Sequence, residues 1–79
     1  MKKTLHSPDY QKLTEWLKHQ RKAKGMSMRD LGEKLDISHS FVAKIEQRER
    51  RLDVIEYTAY CKALGVSPLD GLMQIGNDH

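Results

Sequence analysis

The sequence predicts an all-α domain, a compact bundle of five short helices. Three observations predict it. Apolar residues recur three and four apart along most of the chain, and no stretch alternates apolar and polar as a strand would. Capping residues punctuate it: Ser7, Ser27, Ser38, Asp53 and Ser67 stand where helices open, and Gly25 and Gly65 where they close. The 79 residues hold no linker, repeat or low-complexity tract, which limits the chain to one domain. That domain is expected over residues 7–76, with 1–6 and 77–79 as flexible termini.

The elements follow in order. Ser7-Pro8 gives the first helix a cap and a proline at its first position, where the missing N–H costs nothing. Tyr10, Leu13, Leu17 and Gln20 then fall at helical spacing, with Trp16 beside them, and Gly25 ends the run. Ser27 opens the second helix with Asp30 three residues on, the arrangement of a capping box, and Leu31 and Leu35 form its buried stripe. Ser38 opens the third, where Val42 and Ile45 share one face with Phe41 alongside. Asp53 and Glu56 make a second box. In that fourth helix Ile55, Ala59 and Leu64, with Tyr60 nearby, are expected to look inward. Ser67-Pro68 starts a fifth, with Asp70 in its first turn, fading at Gly76.

Composition narrows the function. A domain this small buries only about 60% of its unfolded surface, which leaves little room for a deep, dry active site. There is no paired-carboxylate site, no Gly-rich phosphate loop and no nucleophile–base pair, so no enzyme is expected. One cysteine, Cys61, allows no intramolecular disulfide and no cysteine zinc site, and is expected as a small core residue. His39 has no helical partner at i, i+4 among His6, His19 and His79, so neither metal nor other cofactor is expected. No apolar run approaches a membrane span, and the charged start "MKKTLHSPDY" lacks the apolar core of a secretion signal. A cytoplasmic location is the expectation.

Charge is lopsided. The net charge is +3, divided as +4 over residues 1–37, +2 over 38–51 and −3 over 52–79. A basic front and an acidic tail suit an acidic partner at one end, and nucleic acid is the usual candidate. Lys18, Lys22 and Lys24 read as plain surface, and Met26, Met28 and Met73 as gap fillers.

The stretch "MRDLGEKLDISHSFVAKIEQ", residues 28–47, carries the functional reading. Two short helices meet at Asp36-Ile37, and Leu31, Leu35, Ile37, Val42 and Ile45 are spaced to bury together. Gly32 sits where the helices should cross closely. This is the pattern of a helix-turn-helix. The second helix of the pair then lies on the surface, with His39, Ser40, Ala43 and Lys44 on its outward side. Its free N–H groups and positive dipole end suit a phosphate. Lys44 can donate to guanine, and His39 and Ser40 can donate or accept at base edges. Arg48, Arg50 and Arg51 follow the helix and are expected to reach the DNA backbone.

From Arg21 to Leu72 the chain resembles the helix-turn-helix domain of Cro and the phage repressors (the XRE-like family). The marks are Arg21 four residues before Gly25, then Ser27, Leu31, Leu35, Ile37-Ser38, Val42, Ile45-Glu46 and the later "ALGVSP" of residues 63–68. The resemblance implies a five-helix, lambda-repressor-like fold, major-groove binding by the third helix, and dimers on palindromic operators. It places His39, Ser40 and Lys44 at base-reading positions. It places Ser38, Phe41 and Gln47 near the sugar–phosphate backbone, and Ser27 is grouped with them. It pairs Arg21 with Glu46, as charge logic also demands of two opposite charges beside a core. Three positions depart from the family pattern: Met28 where a phosphate-binding glutamine is common, and Asp36 and Arg48 where glycine is common.

The expected function is a sequence-specific DNA-binding transcriptional regulator, a repressor acting as a homodimer on a palindromic operator. The expected dimer surface lies between Leu52 and Ile75, through Tyr57, Tyr60, Leu69, Leu72, Met73 and Ile75. The rival is a helical adaptor or antitoxin-like module whose basic face contacts an acidic protein. Protein interfaces favour apolar and aromatic anchors at their centre, and this face offers only Phe41.

Overall fold

The computed structural model describes residues 7–75, and in them five helices and no strand. The expectations for residues 1–6 and 76–79, including the fade at Gly76, lie outside the described residues. Helix α1 spans Pro8–Ala23, α2 Met28–Leu35, α3 His39–Glu46, α4 Val54–Leu64 and α5 Pro68–Leu72. Each opens on the residue whose side chain takes up its free N–H groups. Ser7, Ser27, Ser38, Asp53 and Ser67 all accept from a first-turn amide, and Ser27–Asp30 and Asp53–Glu56 close full capping boxes.

Five elements surround one core of Tyr10, Leu13, Leu17, Leu31, Val42, Ile45, Tyr57, Tyr60, Cys61 and Leu64. Among the element pairs, α2 and α3 pack most extensively. Gly32 explains how: a Cβ there would lie 2.8 Å from the Ile37 carbonyl oxygen and 3.3 Å from the His39 nitrogen. The turn between them bends at Asp36, whose φ of 59° lies in the left-handed region that asparagine and aspartate tolerate better than most.

Helix α4 corrects the sequence reading. Its inward stripe is Tyr57, Tyr60, Cys61 and Leu64, while Ile55 is 76% exposed and Ala59 is also exposed. Residues 57, 60, 61 and 64 repeat at helical spacing. Ile55 lies about 200° around the helix from Tyr57 and cannot share that stripe.

Tyr57 and Tyr60 therefore leave the expected dimer surface, because their own subunit buries them. The Tyr57 hydroxyl donates to the Pro68 carbonyl at 2.6 Å and so fastens α5 to α4. Ile75 also packs partly against the core. The short α5 is seated through Gly71, which lies against the Tyr57 hydroxyl and the Trp16 ring.

Candidate nucleic-acid interface

Helix α3 is held from beneath and open above. Val42 and Ile45 are fully buried, whereas His39, Ser40 and Lys44 are exposed. That separation follows from the sequence, since 42 and 45 share one face and 40 and 44 share another. At the helix start, Ser38 Oγ accepts from the Phe41 N–H at 3.3 Å. The Ser38 hydroxyl keeps its own proton to donate, and the amides of His39 and Ser40 face the start of the helix. Positive dipole and free donors together favour an anion there. Ser27 is likewise exposed, with its oxygen accepting from Asp30 N–H. Hydrogen bonding from the Ser27 amide, and then from its hydroxyl, holds the Asp30 carboxyl below its usual value, so it stays ionised in the box.

The far end of α3 is fixed by charge. Arg21 Nε donates to Glu46 Oε2 at 2.6 Å and Nη2 to Oε1 at 3.1 Å. Its third donor, Nη1, meets the Met26 carbonyl at 2.6 Å. Both side chains are nearly inaccessible, 7% and 3% exposed. The pair ties α1 to the last turn of α3. Near it is the Tyr60 phenol, whose pKa is raised chiefly by burial and then by the Glu46 carboxylate, and which has no hydrogen-bond partner among the described residues.

Beyond α3 the loop bears the arginines. Gln47 and Arg51 are exposed and Arg48 is half-buried. Arg48 takes a φ of 60°, so a charged residue with a Cβ occupies a left-handed position that glycine would take freely. The sequence expectation for Arg50 is a phosphate contact, and the structure gives it a carboxylate partner. Its Nη1 and Nη2 donate to the Glu56 carboxylate at 3.0 and 3.1 Å, and Nη1 also reaches the Arg51 carbonyl at 3.0 Å. Its guanidinium lies 4.4 Å from the Phe41 ring centroid. Two of its nitrogens are engaged because Glu56, fixed by the α4 capping box, stands within reach, while the Arg50 side chain stays 41% exposed. Met28 is half-buried against the core, so it does not stand in for the glutamine of the family pattern.

Sequence reasoning missed two things here. Tyr10 pins the loop to α1: its hydroxyl donates to the Arg50 carbonyl at 2.7 Å and accepts from the Leu52 N–H at 3.2 Å. Glu56 has a second partner in Arg50. No spacing rule links residues 10 and 50, and the capping box already explained Glu56. Exposed apolar side chains occur at Val54 and Ile55 on α4 and at Leu69, Leu72 and Met73 around α5. Among the described residues no cluster of His, Cys, Asp and Glu could hold a metal ion.

Comparison with known proteins fits the geometry. A helix-turn-helix family model matches residues 17–70. An XRE-family-like protein from Pseudomonas syringae pv. tomato is 40% identical, with 91% of this chain and 88% of that one covered and a TM-score of 0.82. The clp gene regulator ClgR from Corynebacterium glutamicum is 25% identical over 87% of this chain and 90% of that one, with a TM-score of 0.79. A point mutant of the restriction-modification controller protein C.Esp1396I is 30% identical over 87% of this chain and 89% of that one, also at 0.79. No curated protein matches the chain. The chain belongs to the XRE family of helix-turn-helix DNA-binding regulators.

Proposed function

We propose that the chain represses transcription by occupying a two-fold-symmetric operator as a homodimer, with α3 of each subunit in the major groove. The observation that carries the reading is the exposed row His39, Ser40 and Lys44 on a helix whose other face is locked into the core. Lys44 donates to guanine acceptors, and His39 and Ser40 read neighbouring base edges. Ser27, Ser38, Gln47, Arg48 and Arg51 set the register on phosphates, which makes affinity fall with salt. The similar structures include one named a gene regulator and one named a restriction-modification controller, and a regulatory role is carried over from them.

The homodimer rests on the apolar residues the subunit leaves uncovered. Val54, Ile55, Leu69, Leu72 and Met73 are between 47% and 76% exposed, a large share for so small a chain. We assign Leu69, Leu72 and Met73 to this surface because they are exposed, with Val54 and Ile55 in place of the buried Tyr57 and Tyr60. Two copies joined through it present two α3 helices, and operator symmetry then mirrors protein symmetry.

Selection of bound fragments from a random duplex pool, with sedimentation of the protein alone and with the selected duplex, tests both parts. An inverted repeat bound by two chains is expected. A half-site bound by a monomer at high micromolar concentration would remove the dimer, and no enrichment of any sequence would remove base reading.

A further inference from the structure

The geometry points to Arg50 and Glu56 as positioning residues for DNA reading: bridged to Glu56 and stacked on Phe41, Arg50 braces the first turn of α3 instead of binding phosphate. The inference rests on the proposal that α3 reads the duplex.

Four observations converge on it. The Arg50–Glu56 pair is bidentate, at 3.0 and 3.1 Å, which fixes the plane of the guanidinium as well as its place. That plane lies over the Phe41 ring at 4.4 Å from its centroid. The backbone bearing Arg50 is itself held, since Tyr10 bonds the Arg50 carbonyl and the Leu52 amide. Finally, Phe41 needs a brace. Its ring borders an open, mostly apolar cleft of about 160 Å³ lined also by Leu35, Ile37, Leu52, Ala59, Tyr60 and Glu56 itself. Phe41 packs against the core but is only half-buried, and Arg50 lies over its ring.

The consequence reaches the bases through one turn of helix. Phe41 is the residue whose N–H is capped by Ser38, and His39 and Ser40 lie between the two. A ring that leaves its seat loosens the packing that holds that turn, and the positions of the base-reading side chains spread. Glu56 serves two ends at once, because Oε1 accepts from the Asp53 amide at 3.0 Å as well as from Arg50. The start of α4, with exposed Val54 and Ile55 beside it, is thereby linked to the reading end of α3.

Arg50→Lys and Glu56→Gln test this. Lysine keeps the charge and the reach to a phosphate but loses the planar fork and the stack. Glutamine keeps an acceptor for the α4 cap and loses the ionic bridge. Each variant is first melted to establish that it folds. Amide exchange at Phe41 is then measured in the free protein, and affinity is measured for the selected duplex and for random duplex over a salt series. Each variant is expected to speed exchange at Phe41 and to lower the selected-to-random affinity ratio about fivefold, the size of one lost cation–π contact. The salt slope stays unchanged in Arg50→Lys.

A phosphate-binding Arg50 predicts otherwise. Arg50→Lys would then keep the ratio and Phe41 exchange near wild type, while Glu56→Gln would tighten both duplexes by freeing the cation. That result overturns the brace. Faster Phe41 exchange in a protein whose wild type shows no sequence preference would uphold the brace and sink the reading of α3 instead.

Discussion

Glu46→Gln breaks the best-defined polar contact in the fold and keeps the shape of the side chain. The Arg21 guanidinium would stay 7% exposed and lose its counter-charge. Removing one partner of a buried pair costs about 3–5 kcal/mol, mostly as the penalty of the charge left behind. Arg21 retains its bond to the Met26 carbonyl, and the new amide oxygen can still accept one hydrogen bond, so the lower end, about 3 kcal/mol, is the working figure. A chain of this length is stable by roughly 4–12 kcal/mol, so the loss is a large share of the whole. At about 4–8 °C per kcal/mol the melting midpoint should fall by about 12 °C or more. Thermal melts followed by circular dichroism read this directly. Arg21→Met combined with Glu46→Leu removes both charges and should recover most of the loss, since apolar residues of similar volume often replace such pairs without penalty. A single variant melting within about 2 °C of wild type would refute the reasoning. So would a double variant no better than the single.

Arg48→Gly should raise the denaturant midpoint by relieving about 1 kcal/mol of left-handed strain at φ 60°, while the salt slope of DNA binding falls by about one unit as a phosphate contact is lost. A fall in stability would contradict the strain argument, and an unchanged slope the phosphate contact. Gly71→Ala should cost about 1–3 kcal/mol by overpacking, because an added Cβ meets the Tyr57 hydroxyl and lies 2.6 Å from Trp16 Cζ3; urea unfolding reads the loss. The Arg50 bridge, then the Asp53 amide, lowers the Glu56 pKa from its ordinary 4.5. A lowered folded pKa gives stability that is present above the ordinary value and lost as the pH falls through the folded one. Melting midpoints of wild type should therefore drop more steeply below about pH 4.5 than those of Glu56→Gln; parallel acid limbs would show that the bridge carries no such linkage.

The helix boundaries were legible because caps are local chemistry. Ser27 with Asp30 and Asp53 with Glu56 act within four residues, so their pattern needs no knowledge of the fold. The buried and open faces of α3 were legible too, since Val42 and Ile45 stand alone as large aliphatics in eight residues. Helix α4 was not. "VIEYTAYCKAL" is apolar nearly all the way round, so its periodicity has no clear phase, and only tertiary packing decides that Tyr57 faces in and Ile55 out. The tyrosines misled for a related reason. They counted as apolar surface in excess of what two short helices bury inside one subunit, yet both are buried, and the Tyr57 hydroxyl finds the Pro68 carbonyl eleven residues on. Arg50 was assigned by charge alone, and the carboxylate and ring that hold it lie on two other elements.

The central claim is that the outward face of α3 reads base edges while its other face is locked into the core. Affinities of wild type and Lys44→Ala for the selected duplex, and for versions substituted at each base pair, test it most directly. Loss of about 1–3 kcal/mol on the selected duplex, with discrimination relaxed at one base pair in each half-site, is the predicted result. An equal loss on every sequence would make Lys44 a phosphate contact, and no loss at all would take the DNA-reading face away from α3.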